Sequence, residues 1–281
     1  MRRALLAGLL LALPAAAGCA PTTTYRNTAL VPAVRPVAWD GRGPQGPAFV
    51  VEGSSTYSTI GENLTPQVGD TALLVPSWTV EGSALIAFSK NVQVGLRGAY
   101  TSYQWAQPSA VGTMPIQGGP SGWGLGPELR LSFPLDERKH FALGIEGNAV
   151  SYQVPYAEWT LSAGCLPSST CVDGYSLAHQ STESHMVYSL GVYPSYAFGD
   201  HGEYGAVFLV LAATSGFQNE GFTDQSSTDS TLKSNGPIFL VGGGYGIRVD
   251  WVHATALLFR PTTGEGSPVD YGLGVQLAFG V

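Results

Sequence analysis

The last thirteen residues read Val269-Asp270-Tyr271-Gly272-Leu273-Gly274-Val275-Gln276-Leu277-Ala278-Phe279-Gly280-Val281. Large apolar side chains fall on every odd position, and small or polar ones on every even position. This period of two predicts a strand with one apolar face and one tightly packed face. The pattern is typical of a membrane barrel, because the outer face of such a strand meets lipid and its inner face meets the lumen.

Nine further segments upstream have strand character, and most are close to the ~9–11 residues that cross a bilayer as a tilted strand. With the closing strand, the predicted set is 48–58, 77–89, 92–105, 122–133, 140–153, 185–198, 203–214, 236–249, 251–260 and 269–281. The sequence therefore predicts an all-β fold over residues 48–281, an antiparallel up-and-down transmembrane β-barrel of about ten strands (8–12). We expect the last strand to pair with the first and close the sheet.

The connections between these strands alternate in length. Short turns are predicted at 90–91, 135–139, 199–202 and 250, and the other connections are long and polar. Bacterial outer-membrane barrels have short periplasmic turns and long outer loops. An even number of strands places both ends of the barrel chain at the short turns, so we expect periplasmic termini and extracellular loops.

Charged residues alternate with apolar ones along several strands. A charge on the lipid face near the midplane costs ~2–4 kcal/mol, so the charged face is predicted to line the lumen. The predicted lumen charges are Glu52, Glu81, Arg97, Glu128, Arg130, Glu146 and Arg248. We expect them to pair and to fill the lumen, because an unpaired buried charge is costly. The alternatives are a charged constriction in a narrow channel and a catalytic use of the carboxylates.

Two further patterns qualify this interpretation. Residues 206–213 are apolar on both faces, which indicates either a partly apolar lumen or the core of a soluble barrel.

Aromatic residues gather near both ends of the strands, as in the two interfacial girdles of membrane barrels. The girdle predicted toward the long loops is Tyr100, Tyr103, Trp105, Trp123 and Tyr152. The girdle predicted toward the short turns is Phe133, Phe141, Tyr196, Phe198 and Trp251.

The N-terminus has the layout of a secretory signal peptide over residues 1–18: a basic start, a short apolar run and small residues. The stretch Ala16-Ala17-Gly18-Cys19 resembles a bacterial lipobox, which implies that Cys19 becomes the first mature residue and carries lipid. Ala20 follows where an aspartate would mark inner-membrane retention, which implies the outer membrane. Ordinary signal cleavage with an unmodified Cys19 is the alternative. The Pro- and Thr-rich residues 19–47 are predicted to be a tether.

Cys165 and Cys171 lie close together in the longest loop, and in an exported protein we expect them to form a local disulfide.

Charged residues make up only 12% of the chain, and the formal net charge is −7. An acidic chain with few basic clusters argues against a nucleic-acid partner. We find no metal-ligand cluster and no nucleotide fingerprint, so no metal and no cofactor are predicted.

One weak enzymatic pattern stands in the longest loop. His179 and Ser181 have Glu183 nearby, and a His–Ser pair can act as base and nucleophile. Their spacing resembles the active-site pair of outer-membrane lipid A deacylases, but Thr182-Glu183-Ser184 stands where that family has Asn-Ala-Gly. A lipid-modifying enzyme is therefore kept only as a further alternative.

The layout of residues 48–281 resembles small outer-membrane barrels of the opacity-protein and OmpA-transmembrane-domain type. Gly274, Leu277 and Phe279 resemble the terminal assembly signal that the barrel insertion machinery recognises, which implies that machinery and outer-membrane lipid as partners; a surface ligand is not identified. The leading hypothesis is a non-enzymatic, lipid-anchored outer-membrane barrel with a structural or surface-interaction role. A narrow channel for small solutes is the second hypothesis, and a periplasmic lipoprotein with a soluble barrel is a further one.

Overall fold

A computed structural model of the chain describes residues 24–29, 36–43, 49–60, 71–105, 121–161, 171–172, 175–199, 203–215, 237–249, 252–262 and 269–280. Twelve strands lie in this part of the chain, all in one sheet. They are β1 (Thr24–Ala29), β2 (Phe49–Ile60), β3 (Thr71–Ser89), β4 (Val92–Trp105), β5 (Ser121–Pro134), β6 (Phe141–Leu161), β7 (Cys171–Val172), β8 (Tyr175–Ala197), β9 (Ala206–Thr214), β10 (Ile238–Val249), β11 (Val252–Pro261) and β12 (Val269–Gly280). In the part of the chain that the structure describes, no helix is long and apolar enough to cross a membrane.

Ten of these strands form a closed antiparallel ring. Neighbouring strands pair in chain order from β2 to β6, then β6 pairs with β8, and the order continues from β8 to β12. The ring closes where β12 pairs with β2, in register from Gly272–Ser58 to Gly280–Val50. The predicted all-β, up-and-down barrel is confirmed, and so is the pairing of the last strand with the first.

The tight connections follow from local chemistry. Between β5 and β6, the Asp136 carboxylate accepts hydrogen bonds from the backbone N–H groups of His140 (3.1 Å) and Phe141 (2.7 Å). Lys139 adopts a left-handed conformation with φ of 58°, which allows the chain to reverse within this turn. The strand ends that border the short turns lie together at one end of the ring, and the strand ends that border the longer connections lie at the other.

Two strands are longer than the sequence patterns predict. β6 extends to Leu161 and β8 begins at Tyr175, and the two pair with each other over nearly their whole length. Pro155 and residues 176–184 were expected to belong to a long connection. In the structure Pro155 pairs in register with Thr182, so β6 and β8 continue as a hairpin beyond the rest of the ring at the long-loop end.

The N-terminal residues are part of the barrel. β1 pairs parallel with β3 through Arg26–Thr71 to Ala29–Leu74, and antiparallel with β6 through Thr24–Thr160 to Asn27–Ala157. The segment predicted as a tether over 19–47 therefore includes a strand of the sheet. Ala29 is 3% exposed and packs in a cluster with Tyr103 and Tyr152.

Residues 36–43 lie in the barrel interior at the opposite, short-turn end. Residues 36–41 are buried. Gly41 has φ of 74°, and a Cβ on it would lie 2.4 Å from the backbone oxygen of Tyr193, so this position favours glycine. Both chain ends were expected at the short turns. Gly280 does lie there, beside Val50, but Thr24 lies at the long-loop end.

Candidate functional site

The described interior has a charged wall, which we define as the inward faces of β3, β4, β5 and β6. Period-two alternation places Glu81, Arg97, Glu128, Arg130 and Glu146 on this face, and each is at most 3% exposed. The neighbouring outward residues are apolar, such as Leu96 and Leu129, and they are exposed on the outer surface. Five of the seven predicted lumen charges are thus brought together inside the ring.

Arg97 is the centre of one half of this wall. Its guanidinium donates to Glu146 Oε1 at 3.3 Å and also contacts Glu81 Oε2. Asn148 Nδ2 donates to the same oxygen of Glu146. A buried carboxylate without such partners would be strongly destabilising, and Arg97 is a cation that both of these carboxylates share.

Arg130 and Glu128 form the other half. Both lie on β5, two residues apart and therefore on one face, and Arg130 Nε donates to Glu128 Oε1 at 2.6 Å. Ser83 of β3 donates its hydroxyl to Glu128 Oε2 at 2.6 Å. The pairing of strands β3, β4 and β5 is therefore reinforced across the interior by side-chain hydrogen bonds.

Residues 36–43 contact this wall through aromatic side chains. Tyr193 of β8 donates its hydroxyl to Glu146 Oε2 at 3.2 Å and accepts a hydrogen bond from the Val37 N–H at 3.0 Å. The Trp39 ring lies 5.5 Å from the Tyr193 ring and 5.4 Å from the Arg130 guanidinium, which gives a cation–π contact. Ser132 donates to the backbone oxygen of Gly41 at 2.7 Å.

The same segment contacts the opposite side of the barrel through Asp40, which is 0% exposed. Arg248 of β10 donates to Asp40 Oδ1 at 2.9 Å, and His253 of β11 lies 3.3 Å from Oδ2. Arg42 donates its Nε to Oδ2 at 2.7 Å. Burial alone would raise the pKa of Asp40, but the cationic side chains around it hold that pKa well below its usual range.

A second wall, on the inward faces of β9, β10 and β11, is mainly apolar. Its buried apolar side chains include Phe208, Val210, Ala212, Leu240, Leu257 and Phe259. A Cβ on Gly244 would lie 2.4 Å from the Phe208 ring, so the glycines of β10 make room for the aromatic rings. The apolar character of 206–213 therefore belongs to an interior that is charged on one side and apolar on the other.

The structure separates the predicted site residues into three groups. Five form the charged wall, as above. Arg248 faces inward too, but its contacts are with residues 40–43: it donates to the backbone oxygens of Arg42 and Gly43, both at 2.9 Å, in addition to Asp40. Glu52 lies in β2, in register with Ser83, and its side chain lies outside the described residues. Cys19, Cys165 and the side chain of Cys171 lie outside them as well, so lipidation and the disulfide stay predictions.

Sequence reasoning missed Trp39, Asp40 and Tyr193. A signal was present for the first two: Trp39-Asp40-Gly41-Arg42 differs in composition from the Pro-, Thr- and Ala-rich residues around it. A large aromatic ring beside paired charges is typical of a folded contact and not of a tether. Tyr193 gave no signal, because an aromatic residue in a strand is ordinary.

The aromatic predictions were partly wrong. Tyr103 and Tyr152 are 4% and 1% exposed and belong to the interior cluster around Ala29, so they are not part of an outer girdle. Toward the short turns, the rings of Phe141, Tyr196 and Phe198 do contact one another on the outer surface, with centroids 4.8 and 5.2 Å apart. Toward the long loops, an outward contact joins Trp78 and Tyr100 at 5.7 Å.

The His–Ser pattern lies on β8, not in a loop. The Glu183 carboxylate, which would have to orient His179, lies 3.5 Å from His185 instead. The His179 ring faces that of Tyr156 at 6.4 Å. Among the described residues, no group of three or more histidine, cysteine or acidic side chains could hold a metal ion.

No family model and no curated protein matches the chain. Among solved structures, it is similar to an outer membrane channel from Pseudomonas putida F1, with 12% identity, a TM-score of 0.45, and 88% of this chain and 100% of that chain covered. It is also similar to the translocator domain of autotransporter NalP from Neisseria meningitidis, with 10% identity, a TM-score of 0.39, and 99% and 95% covered. At such identities and TM-scores, these similarities assign no function.

Proposed function

We propose that the protein is an outer-membrane β-barrel with a structural or surface-interaction role, and that its lumen is filled. The observation that carries this proposal is the opposite chemistry of the two faces of one closed ring. Outward positions present large exposed apolar side chains, including Leu96, Leu125, Leu190, Leu209 and Leu258. Inward positions hold buried ion pairs. In a membrane, lipid would surround the ring and cover these outward apolar side chains. In water the same side chains would form an exposed apolar surface.

The filled lumen is supported by the contacts of residues 36–43. This segment lies between the charged wall, through Trp39 and Tyr193, and the second wall, through Asp40 and Arg248. Side chains just fill the interior of an eight-stranded barrel, and the interior of a ten-stranded barrel is only slightly wider. A continuous water path through the same space would have to displace these buried groups. Within this proposal the long loops face the outside, the short turns and Gly280 face the periplasm, and Cys19 is the lipid attachment point that the lipobox resemblance implies.

The test of the barrel is migration on a denaturing gel. Outer-membrane fractions containing the protein should give a different apparent size before and after boiling, because a closed barrel resists the detergent until heated. The protein should stay in the membrane fraction after washing with high salt and urea. Identical migration together with release by the wash would contradict the membrane proposal and favour a soluble barrel.

A narrow channel is the second candidate, and one observation favours it. The described hydrogen bonds of Arg248 all go to residues 40–43, which are not part of the ring. Departure of that segment would leave Arg248 and His253 on the wall of an open interior, where they would favour anions. Purified protein in planar bilayers is expected to show no steady conductance. Steady, anion-selective steps from the intact protein would support the channel and contradict the filled lumen.

A further inference from the structure

We infer that the N-terminal segment is threaded through the closed barrel, so that the chain preceding Thr24 emerges at the long-loop end. The ring closes from β2 to β12 without it. The segment instead makes contacts at two levels, in the sheet at the long-loop end and in the interior at the short-turn end, and these contacts give its path and its direction.

The upper level is β1. Thr24 pairs with Thr160 and Arg26 pairs with Thr71, and both partners border long connections. β1 is parallel to β3, which runs from the long-loop end toward the short turns. The chain therefore enters at the long-loop end and runs inward, and buried Ala29 lies deeper than Thr24.

The lower level is residues 36–43. Ser132 bonds to Gly41 and Arg248 bonds to Gly43, and both side chains come from strand ends that border short turns. A Cβ on Gly43 would lie 2.0 Å from the backbone oxygen of Lys90, in the β3–β4 turn itself. β2 then begins at this end with Phe49. The path from Thr24 to Phe49 thus runs from one end of the barrel interior to the other.

This path places the two ends of the chain on opposite sides. Gly280 lies at the short-turn end, beside Val50, whereas Thr24 lies at the long-loop end, beside Thr160. That this end faces outside the cell rests on the proposed function; the threading itself does not. The segment before Thr24 is then displayed at the surface together with the long loops.

A lipid on Cys19 would be confined by the same path. Cys19 precedes Thr24 by five residues, and an extended chain spans at most ~3.6 Å per residue, so its reach is roughly 18 Å. The hydrocarbon core is about 30 Å thick. The acyl chains could therefore enter only the leaflet at the long-loop end, which is the outer leaflet in the proposed orientation.

The first test is the sidedness of three short epitope insertions in the full chain, made one at a time after Pro21, after Ser227 in a long connection and after Glu137 in a short turn. On intact cells, antibody should bind the insertions after Pro21 and Ser227. The insertion after Glu137 should become accessible only when the outer membrane is permeabilised. If the Pro21 insertion behaves like the Glu137 insertion, the threading is overturned. If Ser227 is also inaccessible on intact cells, or Glu137 is accessible there, the proposed membrane orientation fails instead.

A second test is independent of the membrane. In a Cys165→Ser/Cys171→Ser background, Asn27→Cys is combined with Ala157→Cys, its partner in register on β6. Directly paired residues have Cα atoms ~4.5–5.5 Å apart, within the ~4.4–6.8 Å of a disulfide. The control combines Asn27→Cys with Ala142→Cys, at the other end of β6. A reductant-sensitive mobility change in the first pair alone supports the threading. A crosslink in the control, or none in the matched pair, overturns it.

Discussion

The two walls of the interior reach the same degree of burial by different means. On the charged wall, Arg97 and Glu146 are each at most 2% exposed, and the ion pair between them offsets the cost of burying the two charges. On the apolar wall, defined by the inward faces of β9, β10 and β11, Val210 and Leu257 are at most 1% exposed and need no partner. Apolar burial tolerates many arrangements, whereas a set of ion pairs is satisfied in only one register. We therefore expect the apolar wall to contribute stability and the charged wall to fix strand register.

Placing a charge on the apolar wall should have the largest effect. Val210→Glu would bury a carboxylate beside Phe208 and Ala212, opposite Gly242 in register on β10, which supplies no charge to pair with it, at a cost of several kcal/mol. Since the whole fold of a domain is stable by only ~5–15 kcal/mol, we expect little folded barrel on an unheated gel. Val210→Met, of similar length without charge, should still give the folded form. Folded Val210→Glu protein at wild-type level would show that this wall accepts charge.

Removing the central cation of the charged wall should come next. Arg97→Met leaves Glu81 and Glu146 without their shared partner, and breaking a buried pair costs about 3–5 kcal/mol. Urea unfolding in phospholipid vesicles measures this free energy. Adding Glu81→Gln and Glu146→Gln to the same variant should restore part of the loss. Equal stability of the single and triple variants would mean that the carboxylates do not depend on Arg97.

The difference between the walls also explains what the sequence could predict. Alternation along a strand reports which face a side chain occupies, so all ten ring strands and the inward charges Glu81, Arg97 and Glu146 were predictable. The same rule cannot identify a strand with two apolar faces, and it left the role of β9 open. Contacts between distant segments, such as Asp40 with Arg248, depend on the path of the chain and not on any local period. The long hairpin of β6 and β8 was missed because Pro155 weakens a strand pattern.

Titration of Asp40 should distinguish the contribution of residues 36–43 from that of the two walls. Its pKa is lowered in the folded state, so its contribution is fully present above its ordinary pKa of ~3.9 and is lost as pH falls through the lower, folded pKa. Asp40→Asn should cost about 1.5–3 kcal/mol at neutral pH, as expected for hydrogen bonds to a charged group. Unfolding free energies measured from pH 7 down to pH 2 should show the difference between the two proteins narrowing once the pH falls below ~3.9. Parallel curves would contradict this role for Asp40.

The smallest expected effect comes from comparing an inward residue of the apolar wall with a residue on the outer surface of the barrel, which is also apolar. Phe259 on β11 is 4% exposed, and Phe239 on β10 is 49% exposed. Phe259→Leu should cost about 1 kcal/mol, because the surrounding side chains repack around a slightly smaller residue. Phe239→Leu in phospholipid vesicles should change the unfolding free energy by less. Lipid chains adapt to the shape of the smaller side chain, whereas packed protein side chains adapt less. If Phe239→Leu costs more than Phe259→Leu in vesicles, the outward face is packed against something more ordered than lipid.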